Sequence, residues 1–175
     1  MRKISAYEIA LSALACAVAT IFLVLGTITP VLLFTGYLAS CIALMLPLAK
    51  GSYRGYVLAY LGTGILSFLF CGSAFFIELL GFLLFFGLHP LFNELQLRFK
   101  MKKWLAFIIK AAWFDVAMYL IWRFVFNMTT TVAFVDKFII PFILVVGTGV
   151  FFLYDYTTFF CRGKIVWLVN RLIKK

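Results

Sequence analysis

Six long apolar stretches, separated by short connections, are the feature that most constrains how this 175-residue chain can fold. With approximate ends, they cover residues 5–26, 30–49, 55–71, 73–92, 104–126 and 137–160. About 20 apolar residues are enough for a helix to cross a bilayer. With 66% hydrophobic and 13% charged residues, the chain has more apolar surface than a water-soluble domain of this size can bury. The sequence therefore predicts one transmembrane domain, residues 1–175, that is an all-α polytopic membrane helical bundle.

The basic residues are distributed unevenly over the connections between these stretches. One set of connections and termini carries 13 of the 16 Lys and Arg residues, whereas the alternate connections "GTIT", "CG" and "NMTTTVAFVD" carry none. By the positive-inside rule the basic side is cytoplasmic, so we expect six transmembrane helices with both termini inside, in a plasma membrane. Contact with the lipid bilayer then accounts for the net charge of +10, and no nucleic-acid partner is predicted.

Two helix boundaries are predicted from short stretches of sequence. Cys71 and Gly72 are the whole break between the third and fourth stretches, and we predict two separate helices there rather than one long bent helix. At the other end, residues 162–175 place apolar residues on one helical face and basic residues mostly around the other. This pattern predicts a C-terminal amphipathic basic helix that lies on the inner leaflet.

The sequence contains no motif of a known catalytic chemistry. It has one histidine, His89, and six acidic residues, and these form no zinc-protease, serine-hydrolase or Gly-rich phosphate-binding pattern. The four cysteines have no C-x-x-C spacing. We therefore expect no enzyme activity, no catalytic residue, no metal site and no cofactor. His89 is expected to cap a backbone carbonyl group or to meet Glu8.

Small residues form a stripe on two of the predicted helices. On the first helix the stripe consists of Ala6, Ala10, Ala13 and Ala17, continued by Thr20. On the third it consists of Gly51, Gly55, Ala59 and Gly62. Such a stripe lets another helix approach closely, either inside the bundle or in a partner protein. We predict a partner interface on the alanines of the first helix, while internal packing stays an alternative for each stripe.

The segments "KISAYEIALSALACAVAT" and "LPLAKGSYRGYVLAYLGTGILSFL", in a chain of six predicted spans, resemble the substrate-binding S component of energy-coupling factor (ECF) transporters. The resemblance covers the layout of most of the chain and is most specific over residues 3–20 and 46–69. It implies vitamin or micronutrient uptake, in which a small-molecule substrate is captured near the outer face. It also implies that the alanine stripe docks on a transmembrane T component, which associates with paired cytoplasmic ATPases.

A second hypothesis is a small multi-span membrane scaffold, such as a cell-envelope assembly protein of the MreD kind, with no ligand. The two hypotheses differ in what they require of charges inside the membrane. A substrate-binding protein needs polar groups that converge in one half of the bilayer. A scaffold needs its charges only as matched pairs.

The charged residues within the apolar stretches are predicted to lie at different depths in the membrane. Counted at about 1.5 Å per residue from the predicted helix ends, Lys110 and Asp155 lie in the inner half, where they are able to pair. Lys110 could instead extend to the leaflet surface. Glu78 and Arg123 lie in the outer half and could also pair, and Asp115 lies near the midplane.

The outer-half residues form the predicted substrate-binding site. An unpaired carboxylate at the depth of Asp115 is expected to be protonated or to face a water-filled cavity. We therefore predict an outward-facing pocket lined by Asp115, Arg123, Glu78, Tyr119, Tyr37 and Asn127. The alternative, that Asp115 hydrogen-bonds a hydroxyl or backbone group of a neighbouring helix, remains open at this point.

Overall fold

The computed structural model is all-helical over the residues it describes, which are 5–121 and 138–173 except 139 and 142. Its helices, in chain order, are α1 (Ala6–Ile28), α2 (Leu33–Leu48), α3 (Tyr53–Cys71), α4 (Phe76–Gly81), α5 (His89–Arg98), α6 (Lys103–Leu120) and α7 (Thr148–Ile173). Short 3-10 turns at Pro30–Leu32 and Ser73–Phe75 precede α2 and α4. π-helical turns at Phe82–Phe86 and Ile143–Gly147 follow α4 and precede α7.

Four helical stretches of the described chain are long and apolar enough to cross a membrane: Ala6–Ile28, Tyr53–Cys71, Ser73–Arg98 and Leu144–Leu172. α2 is apolar but has 16 residues, and its length of about 24 Å is less than the roughly 30 Å of a bilayer core. α6 contains the charged residues Lys103, Lys110 and Asp115. The prediction of an all-helical fold is confirmed for the described residues, and the four stretches are compatible with a membrane protein, while the count of six spans stays a prediction.

α1 begins at a cap that the sequence "SAYE" supplies. Ser5 Oγ accepts a hydrogen bond from the backbone N–H of Glu8 at 3.2 Å, which satisfies one donor of the first helical turn. Further along, α1 crosses α2 at two glycines, since a Cβ atom added to Gly26 would lie 2.9 Å from Gly36 Cα. The glycines therefore let the two backbones meet directly, with no room for a larger side chain at the crossing.

The predicted break at Cys71 and Gly72 is a tight turn between two helices. Gly72 has a φ of 77°, a left-handed conformation that glycine adopts without a Cβ clash. Near the turn the rings of Phe68 and Phe76 lie 5.9 Å apart, and further away Tyr60 Oη donates to the Leu83 carbonyl at 2.7 Å. The helices on either side of Gly72 are therefore separate and antiparallel, as predicted.

A layer of aromatic rings crosses the middle of the bundle. The buried ring of Phe85, in the π-turn before α5, contacts Trp113 and Phe114 of α6 at 4.8 and 5.1 Å between centroids. It also contacts Phe151 of α7 at 5.7 Å. Along α6, Phe114 lies between Lys110 and Asp115. The aromatic layer therefore divides the polar groups of α6 and α7 into two sets.

The basic connections lie at one end of the bundle. Lys50, between α2 and α3, donates to Asn170 Oδ1 near the end of α7 at 3.0 Å. The Arg98 guanidinium, at the end of α5, lies 5.4 Å from the ring centroid of Tyr53 at the start of α3. These contacts join three basic segments that are far apart in sequence. We call this the basic end; its position on the cytoplasmic side stays a prediction.

The residues predicted to form a separate amphipathic tail, 162–175, continue α7 as far as the structure describes them. α7 is one helix from Thr148 to Ile173, so the predicted helix boundary near residue 161 is absent. Arg162 Nε and Nη2 donate to the two carboxylate oxygens of Glu94 on α5, at 2.7 and 3.0 Å, and Val169 is 1% exposed. Because this segment ion-pairs with α5 and buries an apolar side chain, it belongs to the bundle.

Candidate functional site

Four polar side chains form a buried network between the aromatic layer and the basic end. Lys110 Nζ, on α6, lies 2.6 Å from Asp155 Oδ1 on α7 and donates to Asn93 Oδ1 on α5 at 3.0 Å. His89 Nε2 lies 3.0 Å from the same Asp155 oxygen, near enough for an ion pair although not aligned as a hydrogen bond. We call His89, Asn93, Lys110 and Asp155 the inner network.

The inner network decides between the two predicted roles of Lys110. The Lys110 side chain is 1% exposed, so it pairs with Asp155 and does not extend to the leaflet surface. An ammonium group has three protons to donate, and here Asp155 and Asn93 supply two acceptors while the Phe159 ring centroid lies 4.8 Å from Nζ. Lys110 is therefore a satisfied structural cation.

The predicted partners of His89 need correction. In the described part of the chain, its ring contacts the Asp155 carboxylate and, at 3.4 Å, Asn93 Nδ2. Asn93 is one turn from His89 on α5, and it was missed by reasoning from the sequence. The spacing H-x-x-x-N was a usable signal, because residues four apart share one face of a helix.

Asp115 lies on the other side of the aromatic layer and has a hydroxyl as its partner. Thr148 Oγ1, at the start of α7, lies 3.2 Å from Asp115 Oδ2 and 3.5 Å from Oδ1. This hydroxyl on a neighbouring helix is the structural alternative that the sequence left open. Asp115 makes no ion pair with any residue that the structure describes. The sequence did not identify Thr148 as the partner, since that depends on how α6 and α7 pack.

A cavity of about 290 Å³ opens beside Asp115. It is lined by Asp115, Val116 and Tyr119 from α6 and by Ile140 and Leu144 from the segment that leads into α7. Two of the predicted substrate-binding residues, Asp115 and Tyr119, therefore lie together in one cavity. Asp115 and Tyr119 border the cavity, but the surface that its described lining presents is apolar.

Tyr37 and Glu78 lie together at the contact between α2 and α4. Tyr37 Oη donates to the backbone carbonyl of Glu78, and the Tyr37 side chain covers Gly81, where an added Cβ would lie 2.9 Å from Oη. Glu78 Oε2 is buried and has no hydrogen-bond partner among the described residues. Arg123, the predicted partner of Glu78, and Asn127 lie outside the described residues.

The four described members of the predicted site form two groups. The ring of Tyr37 stacks on Phe86 at 4.7 Å, and Phe86 contacts Phe114 at 6.2 Å between centroids. Aromatic side chains therefore stand between Tyr37 and the segment of α6 that carries Asp115. Over the described chain, Asp115 with Tyr119 forms one group and Tyr37 with Glu78 forms the other.

The two small-residue stripes have different environments. Within α3 the stripe is internal, because a Cβ on Gly55 would clash with Ser12 Oγ and one on Gly62 would lie 2.8 Å from Cys16 Sγ. Gly51, predicted as part of the stripe, instead precedes α3 and is exposed. The α3 stripe therefore packs on α1. The α1 stripe is on the outside of the chain, where its alanines are all exposed: Ala6, Ala10, Ala13 and Ala17. We call these four residues the alanine face.

Comparison with known proteins gives no relative of this chain. No protein-family model, no curated protein and no solved structure matches it. Within the described residues, no group of three or more His, Cys, Asp and Glu side chains is placed to hold a metal ion.

Proposed function

We propose that this protein is a membrane-embedded substrate-binding subunit of a micronutrient uptake transporter, multi-pass in a bacterial plasma membrane. The observation that carries the proposal is that the alanine face of α1 is exposed on the bundle. The glycines of the α3 stripe, Gly55 and Gly62, instead pack internally against α1. A smooth face of this kind lets a second membrane helix approach closely. In the ECF transporters that the sequence resembles, the corresponding stretch docks on the T component.

The cavity beside Asp115 supports a binding role in the half of the bundle away from the basic end. Its volume of about 290 Å³ is near the lower limit of ligand pockets, which suits a small molecule. The contacts of Asp115 with Thr148, at 3.2 and 3.5 Å, are longer than the roughly 2.7 Å typical of a hydroxyl donor. Since a carboxylate has about four acceptor positions, Asp115 retains capacity to bind a donor or cationic group of a substrate.

Docking is tested by copurification from native membranes. The double variant Ala13→Leu with Ala17→Leu fills the alanine face, so it should remain folded but lose the associated T component and paired ATPases. A matched control is Ala112→Leu, because Ala112 is an exposed alanine on α6 outside the face. This control should retain the partners. If the double variant retains them too, the alanine face is not the docking surface.

Substrate binding is tested by mass spectrometry of small molecules that copurify with the protein. The wild type should carry a small molecule that Asp115→Asn loses, while Ala112→Leu keeps it. A compound retained by Asp115→Asn would remove Asp115 from the site. If the wild type carries no small molecule when the cells are grown with nutrients in excess, the result would argue against the substrate-binding function.

The scaffold hypothesis has one specific observation in its favour. Lys110 and Asp155 form a matched pair inside the bundle, which is the pattern a ligand-free scaffold requires. The same copurification separates the two functions. Recovery of envelope-assembly proteins, with neither a T component nor ATPases, would favour the scaffold.

A further inference from the structure

A larger cavity of about 990 Å³ opens at the basic end, between the end of α5, the start of α6 and the middle of α7. Lys100 and Lys103 line it at the membrane-surface end of α6, and Lys110 with Asp155 line it about 10 Å deeper, seven residues along α6. Most of its wall is aromatic, formed by Trp104, Phe107, Phe152, Tyr156 and Phe159, and Leu97 and Met101 complete the apolar part. The cavity thus combines a cationic opening with an apolar wall.

The charges around the cavity favour an anion at its opening. Lys110 and Asp155 neutralise one another at 2.6 Å. Lys100 and Lys103 are exposed, and neither pairs with a described carboxylate. Two lysines at the opening are therefore available for a phosphate or another anionic group.

Gln96 adds an unsatisfied acceptor to the same cavity. Its side chain is 7% exposed and lines the cavity, yet Oε1 has no hydrogen-bond partner among the described residues. A buried amide oxygen without a donor is unfavourable. Oε1 itself is buried, so a ligand hydroxyl group would supply the missing donor once the Gln96 side chain turns its amide towards the cavity.

The backbone at Lys100 gives an independent reason to assign a role to this lysine. α5 ends in a left-handed turn, in which Met101 N donates to the Gln96 carbonyl at 3.1 Å and Lys100 N to the Leu97 carbonyl at 3.3 Å. Lys100 has a φ of 50° at the position where such turns usually place glycine. Lys100 thus places a side chain at a position where the backbone favours glycine, and Lys100 lines the cavity.

We propose that this cavity binds one anionic phospholipid whose headgroup carries hydroxyl groups. Lys100 and Lys103 hold the phosphate, Gln96 Oε1 accepts a hydrogen bond from a headgroup hydroxyl, and an acyl chain lies along the aromatic wall. Basic pockets between helices near the membrane surface are suited to such lipids. The proposal is independent of the proposed transport function, since it uses neither the alanine face nor Asp115.

The wall explains why the occupant is a lipid rather than a soluble anion. Trp104, Phe152 and Tyr156 are 81%, 59% and 68% exposed, although each lines the cavity. On a membrane bundle such rings meet acyl chains rather than water. A phospholipid contacts the lysines with its phosphate and the rings with an acyl chain, whereas a soluble anion contacts the lysines alone.

The test uses the full-length protein in detergent, with native mass spectrometry and a thermal-shift assay. Phosphatidylglycerol should bind and raise the Tm, and phosphatidylcholine should do neither. Phosphatidylmethanol carries the same phosphodiester charge without headgroup hydroxyls, so it should bind more weakly than phosphatidylglycerol. Glycerol phosphate alone should neither bind nor raise the Tm.

The variants separate the cavity from general surface charge. Lys103→Gln and Lys100→Gly should each weaken phosphatidylglycerol binding by about fivefold. Glycine adopts the left-handed conformation at position 100 without a Cβ clash, so Lys100→Gly should remain folded. A loss of binding in this variant then reports the loss of the lysine side chain. The matched control is Lys102→Gln, which removes an exposed lysine of the same loop that does not line the cavity. Gln96→Leu should bind phosphatidylglycerol and phosphatidylmethanol equally.

Three results would overturn the proposal. The first is equal binding of phosphatidylglycerol and phosphatidylcholine by the wild type. The second is an equal loss of binding in Lys102→Gln and in the two cavity-lysine variants, which would indicate attraction to the basic surface as a whole. The third is binding of glycerol phosphate as strong as that of the lipid, which would assign the cavity to a soluble anion.

Discussion

Two aspartates of the same bundle, Asp155 and Asp115, lie on opposite sides of the aromatic layer and have opposite surroundings. Asp155 meets Lys110 at 2.6 Å and His89 at 3.0 Å. Asp115 meets one hydroxyl, that of Thr148, at 3.2 Å or more, beside a cavity. An ionisable side chain in an apolar bundle is costly unless it is paired or serves a function. The difference indicates that Asp155 holds helices together, whereas Asp115 contributes no ion pair to the described bundle and its role in ligand binding stays a proposal.

The largest effect that this comparison predicts is at Lys110. Lys110→Met leaves the Asp155 carboxylate without its strongest partner, so it should lower the free energy of unfolding by about 3 to 5 kcal/mol. The measurement is denaturant unfolding of the purified protein in detergent. As a control, Lys102→Met, at an exposed position, should change the free energy by less than about 0.5 kcal/mol.

A double variant distinguishes a stranded charge from a loss of packing. Lys110→Met combined with Asp155→Leu removes both charges, and it should be more stable than Lys110→Met alone, because an apolar pair replaces an unpaired carboxylate. If the double variant is less stable than the single variant, the cost at Lys110 comes from lost packing instead.

A smaller effect is expected at Asn93. Asn93→Leu removes the amide oxygen that accepts from Lys110 at 3.0 Å, and the loss should be about 1 to 3 kcal/mol because a buried donor is left unsatisfied. Asn170 is the matched control, since it accepts from Lys50 at the same distance but is exposed. Equal stability changes in Asn93→Leu and Asn170→Leu would contradict a special role for the buried network.

The smallest stability effect is predicted for Asp115→Asn. The amide retains an oxygen that can accept from Thr148, so the free energy of unfolding should change by less than about 1 kcal/mol. The same substitution at Asp155 removes the partner charge of Lys110 and should destabilise the protein by several times that amount. Comparable losses at the two positions would mean that Asp115 is also structural.

Thiol labelling tests the sides of the membrane without changing any residue. Cys71 precedes the turn at Gly72, whereas Cys161 is one residue from Arg162 in the segment of α7 that packs at the basic end. A membrane-impermeant maleimide added to intact cells should label Cys71, and Cys161 should react only after permeabilisation. The opposite pattern would reverse the predicted orientation of both aspartates.

Several local features of the fold could be predicted from the sequence. The break at Cys71 and Gly72 was predicted because these two residues separate two apolar stretches, and the structure shows the positive φ of Gly72 at that turn. Lys110 and Asp155 were predicted as a possible pair because helix rise sets the depth of a residue along its helix. The missing boundary between α7 and its tail was not predictable in this way. It depends on Arg162 reaching Glu94, a contact between residues 68 positions apart.

The small-residue stripes show what periodicity cannot decide. Both stripes have the spacing of one helical face, and the sequence gives no reason to treat them differently. The structure places Gly55 against Ser12 and leaves Ala13 exposed. Which stripe is internal depends on the rotation of each helix about its own axis, and that rotation is set by the helices packed around it.

The sequence by itself determined the apolar character of the helices, the helical class and the gathering of basic residues on alternate connections. Those properties follow from composition and from the geometry of one helix, so they need no knowledge of neighbours. Only the tertiary structure decided that Asp155 is paired, that Asp115 meets Thr148, and that Gln96 and Lys100 border one cavity. The physical reason is that hydrogen bonds and ion pairs act over about 3 to 4 Å, so their partners are fixed only when helices distant in sequence are packed together.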